Sequence, residues 1–173
     1  MEIRDRAKKV KAVIFDVDGV LTDGKLAYGN FGDELKFFDV QDGLGMQLLR
    51  EASIYTFIIS GKSSKITSKR AIETKITKAF QNIGDKLAVY EKIKKKFDLA
   101  DEDFCCIADD LLDLPVISRV GFACAVFNAQ DEIKEKAHYV TARSGGNGAA
   151  REVINIILKA QNKWPEVTKK YFK

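Results

Sequence analysis

The segment from Val10 to Gly24, VKAVIFDVDGVLTDG, constrains the fold most strongly, because a short apolar run in it ends abruptly in two carboxylates. The run from Val13 to Phe15 predicts a buried parallel strand, and Asp16 and Asp18 follow it. Ligands of open parallel α/β sheets bind at the carboxyl ends of the strands, so acids at this point indicate a binding site. A solvated strand end before a helix cap is the alternative interpretation.

The same pattern recurs twice along the chain. The apolar run from Ile54 to Ile59 ends at Ser60, and the run from Phe104 to Ala108 ends at the pair Asp109 and Asp110. Helical segments alternate with these runs, which predicts an α/β fold with a doubly wound, Rossmann-like parallel sheet and right-handed crossovers. The polar residues would then share one edge of the sheet.

Residues 22–39, which follow the first strand, alternate loosely between apolar and polar around GNFGD and predict a β-hairpin. Its position would make it a flap over the site. A length of 173 residues suits one domain whose core needs neither a disulfide nor a structural metal. We expect a single domain over residues 1–173, with a loop and helix over 143–164 and no cap domain.

Composition argues against several classes of partner. The 29 basic and 25 acidic residues leave a net charge of +4, which is too weak and dispersed to predict nucleic-acid binding. No segment has the length of a membrane span or the apolar stretch of a signal peptide, so we expect a cytoplasmic protein without a membrane partner. The three cysteines lie in apolar runs and predict reduced core residues, and the single histidine, His138, predicts a structural role.

Two aspartates mark predicted helix starts. Asp42 is expected near the N-cap of the first helix after the flap, and Asp85 opens a later helix with Lys86 in its first turn. The helix dipole disfavours a cation in the first turn, so a nearby anion would explain Lys86. Taken separately, Lys86 could be a solvated side chain and Ser60 a turn or helix cap.

Taken together, the residues at the strand ends suit phosphoryl transfer through a covalent intermediate. A carboxylate is ionised at neutral pH and needs no base to act as a nucleophile, which favours Asp16 in that role. Asp18, two residues further on, is placed to protonate the leaving alkoxide. It would then activate the water that hydrolyses the aspartyl phosphate.

Such a reaction also needs a cation and hydrogen-bond donors. Asp109, with Asp110 beside it, would help to bind Mg²⁺, a hard cation that prefers oxygen ligands. A bound Mg²⁺ would also relieve the repulsion between the two carboxylates after the first strand. The hydroxyl of Ser60 and the ammonium of Lys86 would bind the transferred oxygens.

With these residues the chain resembles the haloacid dehalogenase-like phosphatases. The matching motifs are DVDG after the first strand, the serine of SGKSS, the lysine of GDKL and the acids of ADD. The resemblance implies that Asp16 is the nucleophile, that Asp18 is the general acid and base, and that Mg²⁺ is held by Asp16, the backbone carbonyl of Asp18 and Asp109. Asp110 and Asp113 would then orient the outer shell of the metal, although capping explains Asp113 equally well.

Within this family the likeness is to its small capless branch. From about Val10 to Trp164 the chain is most similar to the members that act on 3-deoxy-D-manno-octulosonate 8-phosphate. This implies Mg²⁺-dependent hydrolysis of a phosphorylated keto-sugar acid through an aspartyl phosphate, in lipopolysaccharide biosynthesis. It also implies a homo-oligomer, a tetramer, in which a hairpin like residues 22–39 helps to close the site of the neighbouring subunit.

Three positions depart from the pattern of that branch. Ser60 replaces a more common threonine and keeps the hydroxyl, and Ala108 replaces a glycine. Lys62 replaces an arginine, which keeps the charge but loses the bidentate fork that suits a carboxylate. A nine-carbon keto-sugar acid 9-phosphate, a nononate or neuraminate, is therefore an alternative substrate. The candidates for substrate binding are Gly61, Lys62, Thr22 and Arg151.

Two non-catalytic alternatives use similar residues. A phosphoacceptor receiver module combines several aspartates, a hydroxyl and a lysine, but its adjacent acid pair follows the first strand, whereas here that pair comes late. A catalytically silent regulatory relative would have lost Asp16 or Asp18, and both are present. The sequence therefore favours a phosphatase.

Overall fold

A parallel sheet with helices packed around it organises the computed structural model, which describes residues 2–32 and 34–172. Met1, Asp33 and Lys173 lie outside the described residues, and with them both ends of the predicted domain and one residue of the predicted flap. The strands are β1 (Ala12–Phe15), β2 (Ala27–Tyr28), β3 (Glu34–Leu35), β4 (Tyr55–Ile59), β5 (Lys78–Phe80), β6 (Phe104–Ala108), β7 (Phe122–Ala125) and β8 (Tyr139–Val140). The α-helices are α1 (Ile3–Lys9), α2 (Val40–Glu51), α3 (Lys65–Glu73), α4 (Lys86–Phe97), α5 (Leu114–Ile117), α6 (Asp131–Lys136), α7 (Ala149–Ala160) and α8 (Trp164–Thr168).

The order of the strands places the site. Six strands pair in parallel in the order β5-β4-β1-β6-β7-β8, so the chain runs outward from β1 on one side and returns to β6 on the other. Phe15 at the end of β1 pairs with Ile58 and with Ile107, and all four residues of β1 are buried. The crevice at such a reversal is where doubly wound sheets bind ligands. The predicted fold class is confirmed.

The predicted flap is a two-stranded antiparallel hairpin. Ala27 of β2 pairs with Leu35 of β3, and the hairpin lies outside the main sheet. The side chains of Phe31 and Phe37 are 98 % and 73 % exposed, so the flap presents aromatic surface to solvent in the single chain. No helix in the described part of the chain is long and apolar enough to cross a membrane.

Two helices lie where no helix was predicted. Helices α1 and α8 are short, and α1 buries only Ala7 among its residues, so neither produces an apolar stripe that the sequence would reveal. The predictions for the cysteines and the histidine agree with the structure. All three cysteines are free and buried, and Nδ1 of His138 accepts the backbone N–H of Ala123 at 2.9 Å.

Asp42 corrects the predicted start of α2. The N-cap is Asp39, whose carboxylate accepts the N–H of Gln41 at 2.6 Å, so the helix begins earlier and Asp42 lies inside its first turn. Asp42 is buried, and its Oδ1 accepts the N–H of Arg151 at 2.7 Å, whereas its Oδ2 is buried without a partner. The carboxylate therefore joins α2 to the start of α7 at the cost of a buried charge.

We expect Asp42→Asn to become more favourable to stability as the pH rises. Burial raises the pKa of Asp42 to about 6, so the folded state holds the proton more tightly than the unfolded chain, and stability is lost as the pH rises through this range. Asparagine removes the charge and keeps an oxygen for Arg151. The free energy of unfolding should be measured with urea for both proteins. The value for the variant minus that for the wild type should increase by about 2 kcal/mol between about pH 4 and pH 8. A difference that does not vary with pH would contradict this.

Candidate active site

Five polar side chains converge at the carboxyl edge of the sheet, each placed there by the end of a strand or the start of a helix. Asp16, Ser60 and Asp109 directly follow β1, β4 and β6, which are neighbours in the sheet. Lys86 is the first residue of α4, and Asp113 ends a short 3₁₀ turn after β6. The parallel pairing of the strands brings together residues that are up to 97 positions apart in the sequence, from Asp16 to Asp113.

Lys86 lies at the centre of this group. Its Nζ donates to Oδ1 of Asp16 at 2.8 Å and to Oδ1 of Asp113 at 2.6 Å, and its side chain is 3 % exposed. Burial alone would lower the pKa of Lys86, but the two carboxylates outweigh it and raise the pKa. These carboxylates are the anions that explain a lysine in the first turn of a helix.

Three carboxylates lie close together in this group, and two of them accept from the ammonium of Lys86. Oxygens of Asp16, Asp109 and Asp113 lie within 4.8 Å of one another. Burial and mutual repulsion raise the pKa of Asp109 to about 8 and that of Asp113 to about 7, and burial raises that of Asp16 despite the nearby Lys86. The group is thus short of positive charge.

The same group fits a divalent cation. Oδ1 of Asp109 and Oδ2 of Asp113 are buried and have no hydrogen-bond partner, so each leaves a carboxylate oxygen free to coordinate. Hard cations such as Mg²⁺ take oxygen ligands of this kind, and a bound cation would offset the repulsion among the acids. Asp113 therefore belongs to the group itself, whereas the sequence predicted a place in the outer shell of the metal.

Gly19 allows Asp109 to approach the loop after β1. The φ of Gly19 is +100°, a conformation that side chains rarely adopt, and a Cβ at this position would overlap Oδ2 of Asp109. The backbone of the loop and the carboxylate of Asp109 are therefore packed directly against each other. No other residue type leaves room for this contact.

We expect Gly19→Ala to lower the phosphatase activity that the sequence predicts by about 100-fold, because Asp109 must move from its place in the acidic group. The Mg²⁺ concentration for half-maximal activity should also rise. Gly32→Ala is the matched control, since Gly32 also has a positive φ, of +80°, but nothing within 4 Å of its Cβ position. Gly32→Ala should retain activity, and an equal loss in both variants would contradict the assignment.

The C-terminal loop supports the loop after β1. The N–H of Gly146 donates to the carbonyl of Val20 at 3.0 Å, and a side chain at Gly145 would overlap the carbonyl oxygen of Gly19. In the structure the C-terminal loop packs backbone against backbone on the loop that follows the first strand.

Ser60 and its turn lie beside the acidic group. Ser60 is buried at the end of β4, and its Oγ accepts the N–H of Lys62 at 3.3 Å. Gly61 and Lys62 are exposed in the turn that follows. A positive side chain is therefore available near the mouth of the site.

Two predicted site residues have structural partners instead. Thr22 is 1 % exposed, and its hydroxyl donates to a carbonyl and accepts two N–H groups within residues 17–24, which argues against a substrate contact. Asp110 is exposed and its carboxylate accepts the N–H of Leu111 at 2.7 Å. It therefore caps the 3₁₀ turn, while its predicted place in the outer shell of the metal stays a prediction.

Arg151 also has protein partners. Its Nε donates to Oδ1 of Asn155 at 2.8 Å, one of its terminal nitrogens donates to the carbonyl of Gln41 at 3.2 Å, and its guanidinium lies over the ring of Trp164. None of these partners belongs to the acidic group. The arrangement points to packing between α7, α2 and α8 rather than to substrate binding.

Asp18 has a partner that the sequence did not predict. The ammonium of Lys36, in the flap, donates to Oδ1 of Asp18. The two residues are 18 positions apart and only the folding back of the hairpin brings them together. The alternation of apolar and polar residues around β3 does not predict this contact, because it does not determine how the hairpin is oriented relative to the loop after β1.

Comparison with known proteins agrees with this geometry. The family model described as haloacid dehalogenase-like hydrolase matches residues 59–153. Among curated proteins, the 3-deoxy-D-manno-octulosonate 8-phosphate phosphatase of Yersinia pestis is 41 % identical over 162 residues, which cover 94 % of this chain and 87 % of the relative. The corresponding phosphatase of Escherichia coli K12 is 38 % identical over 161 residues, or 93 % and 86 % of the two chains.

Solved structures give the same result. The 3-deoxy-D-manno-octulosonate 8-phosphate phosphatase of Moraxella catarrhalis, in complex with magnesium ion, phosphate ion and KDO, superposes with a TM-score of 0.95 at 39 % identity, covering 98 % of this chain and 97 % of the other. A probable phosphatase from Pseudomonas syringae gives a TM-score of 0.96 at 42 % identity, with coverages of 99 % and 97 %.

Proposed function

Because this chain belongs to the haloacid dehalogenase-like hydrolases, we propose that it is a Mg²⁺-dependent phosphatase that hydrolyses 3-deoxy-D-manno-octulosonate 8-phosphate. The observation that carries the proposal is the acidic group of Asp16, Asp109 and Asp113 beside the buried Lys86, at the reversal point of the sheet. Relatives that cover most of the chain act on this substrate, and the Moraxella catarrhalis structure contains its dephosphorylated product with Mg²⁺ and phosphate.

Asp16 and Asp109 would hold the Mg²⁺, with the backbone carbonyl of Asp18 as a further ligand by resemblance to the family. Asp113 lies within reach of the same ion. When bound, the ion neutralises the carboxylates and withdraws charge from the phosphoryl oxygens. The unpartnered oxygens of Asp109 and Asp113 support this assignment.

The residues of the chain divide the chemistry among them. An oxygen of the Asp16 carboxylate attacks phosphorus, the ester P–O bond breaks, and Asp18 gives a proton to the leaving sugar oxygen. Water then attacks the aspartyl phosphate and loses a proton to Asp18, which releases phosphate and restores Asp16. Lys86 holds Asp16 in place, and with the Ser60 hydroxyl it stabilises charge on the transferred oxygens.

The identity of the sugar acid depends on residues outside the acidic group. The exposed Lys62 supplies one positive charge beside the site, as a single point charge rather than a bidentate fork. Phosphate release in Mg²⁺ should be compared for octulosonate 8-phosphate, nononate and neuraminate 9-phosphates, and glucose 6-phosphate. A kcat/KM at least about 100-fold higher for the eight-carbon acid supports the proposed substrate. A preference for a nine-carbon acid would instead identify that acid phosphate as the substrate.

We also infer a homotetramer in which the flap reaches a neighbouring subunit. Support comes from the exposed side chains of the flap, since aromatic groups rarely stay in water when a partner surface is available. Those exposed by more than half are Tyr28, Phe31, Leu35 and Phe37. Light scattering should give four chains per particle, and Phe31→Glu combined with Phe37→Glu should lower that number. A monomeric wild type would refute the inference.

A further inference from the structure

Lys36 differs from the flap residues around it. Its side chain is 1 % exposed, although the neighbouring Leu35 and Phe37 are 57 % and 73 % exposed. The ammonium donates to Oδ1 of Asp18, and it also lies 3.5 Å from Oε1 of Glu34. The flap therefore places one buried ammonium against the loop that follows β1.

This burial distinguishes Lys36 from an ordinary surface lysine. Burying an ammonium costs free energy unless it is paired with carboxylates, and Lys36 is paired with two. Lys25, in the same flap, shows the ordinary arrangement, because its side chain is 86 % exposed and 3.6 Å from Asp23. The contact between Lys36 and Asp18 is therefore a fixed part of the fold rather than a solvated ion pair.

We propose that Lys36 is a positioning residue for Asp18, which rests on the proposed function in which Asp18 transfers protons. By fixing Oδ1 of Asp18, the ammonium holds the carboxyl group in one orientation beside Asp16. Because Lys36 is carried by the flap, Asp18 is fully oriented only when the flap lies against the loop after β1. The flap then serves the proton transfer directly.

The proposal predicts a dependence on the leaving group. A benzylic or sugar alkoxide is a strong base and needs a proton as it leaves, whereas a nitrophenolate is a weak base and leaves without one. A misplaced Asp18 should therefore slow the departure of an alkoxide much more than that of a nitrophenolate. Since kcat/KM reports the steps up to the departure of the first product, it isolates this effect from the later hydrolysis of the aspartyl phosphate.

The test compares 4-nitrobenzyl phosphate with 4-nitrophenyl phosphate, which are of similar size, in the presence of Mg²⁺. For Lys36→Met we expect kcat/KM to fall about 30-fold on the nitrobenzyl ester and less than about threefold on the nitrophenyl ester. The slower hydrolysis of the aspartyl phosphate should also produce a burst of nitrophenolate. Lys36→Arg should recover most of the loss, and Lys25→Met, the matched flap control, should behave like the wild type.

Other results would overturn the proposal. Equal losses on both esters would assign Lys36 to binding the phosphate or to folding the flap, and unchanged kinetics would leave it without a role in proton transfer. Loss of the folded state in Lys36→Met, measured by circular dichroism, would make Lys36 a structural residue. Absence of turnover of both esters and of octulosonate 8-phosphate by the wild type would instead refute the proposed phosphatase function.

Discussion

Asp16→Asn is expected to abolish turnover while leaving the fold intact. The amide is a poor nucleophile, so phosphate release should fall by about 10⁴-fold or more. Lys86 keeps its 2.6 Å contact with Asp113, so the variant does not leave a buried ammonium unpaired. Because the change removes a buried acid that lies beside two other acids, the variant should be at least as stable as the wild type without Mg²⁺.

The matched control for this variant is Asp110→Asn, which makes the same chemical change at an exposed carboxylate in the loop that follows β6. Its activity should stay within about threefold of the wild type, because Asp110 caps a 3₁₀ turn and capping groups contribute only modestly. Phosphate release and thermal unfolding with a metal chelator measure both effects. Activity near the wild-type level in Asp16→Asn would contradict the assignment of the nucleophile.

Lys86→Met is expected to impair stability as well as activity. Without the ammonium, three neighbouring carboxylates, two of them buried, are left with no cation beside them, and the metal-free protein should lose about 3 kcal/mol of unfolding free energy. Turnover should fall by about 1,000-fold, because a donor to the transferred oxygens and the orientation of Asp16 are both lost.

Mg²⁺ provides the internal test for this second variant. A divalent cation supplies the positive charge that the variant lacks, so Mg²⁺ should raise the thermal midpoint of Lys86→Met more than that of the wild type. Lys92→Met, an exposed lysine in the same helix, controls for the substitution and should change neither property. A metal-free Lys86→Met as stable as the wild type would show that Lys86 does not balance the charge of this group.

The residues that follow strands could be placed from the sequence alone. Asp16, Ser60 and Asp109 each end an apolar run, and parallel pairing carries such residues to one edge. Lys86 could be singled out because a cation in the first turn of a helix needs an anion. In each of these cases one local rule was sufficient, because the alternation of strands and helices along the chain also indicated a parallel sheet.

The remaining features depend on the conformations of loops and turns, which the spacing of residue types does not encode. Asp113 enters the acidic group because residues 111–113 form a 3₁₀ turn that directs it back to Lys86. Lys36 contacts Asp18 because the hairpin folds back over the first loop. Asp42 lies inside a helix because Asp39 caps that helix about one turn earlier than predicted. Two aspartates three residues apart offer two possible N-caps, and the sequence alone does not choose between them.

The covalent step can be observed directly. The wild type should be mixed with octulosonate 8-phosphate and Mg²⁺, quenched in acid before steady state, and digested for peptide mass spectrometry. A phosphoryl group on the peptide that contains Asp16, absent when the ester or Mg²⁺ is omitted, is the predicted result. Turnover without any phosphorylated peptide, or with the phosphoryl group on another residue, would contradict the account of this site.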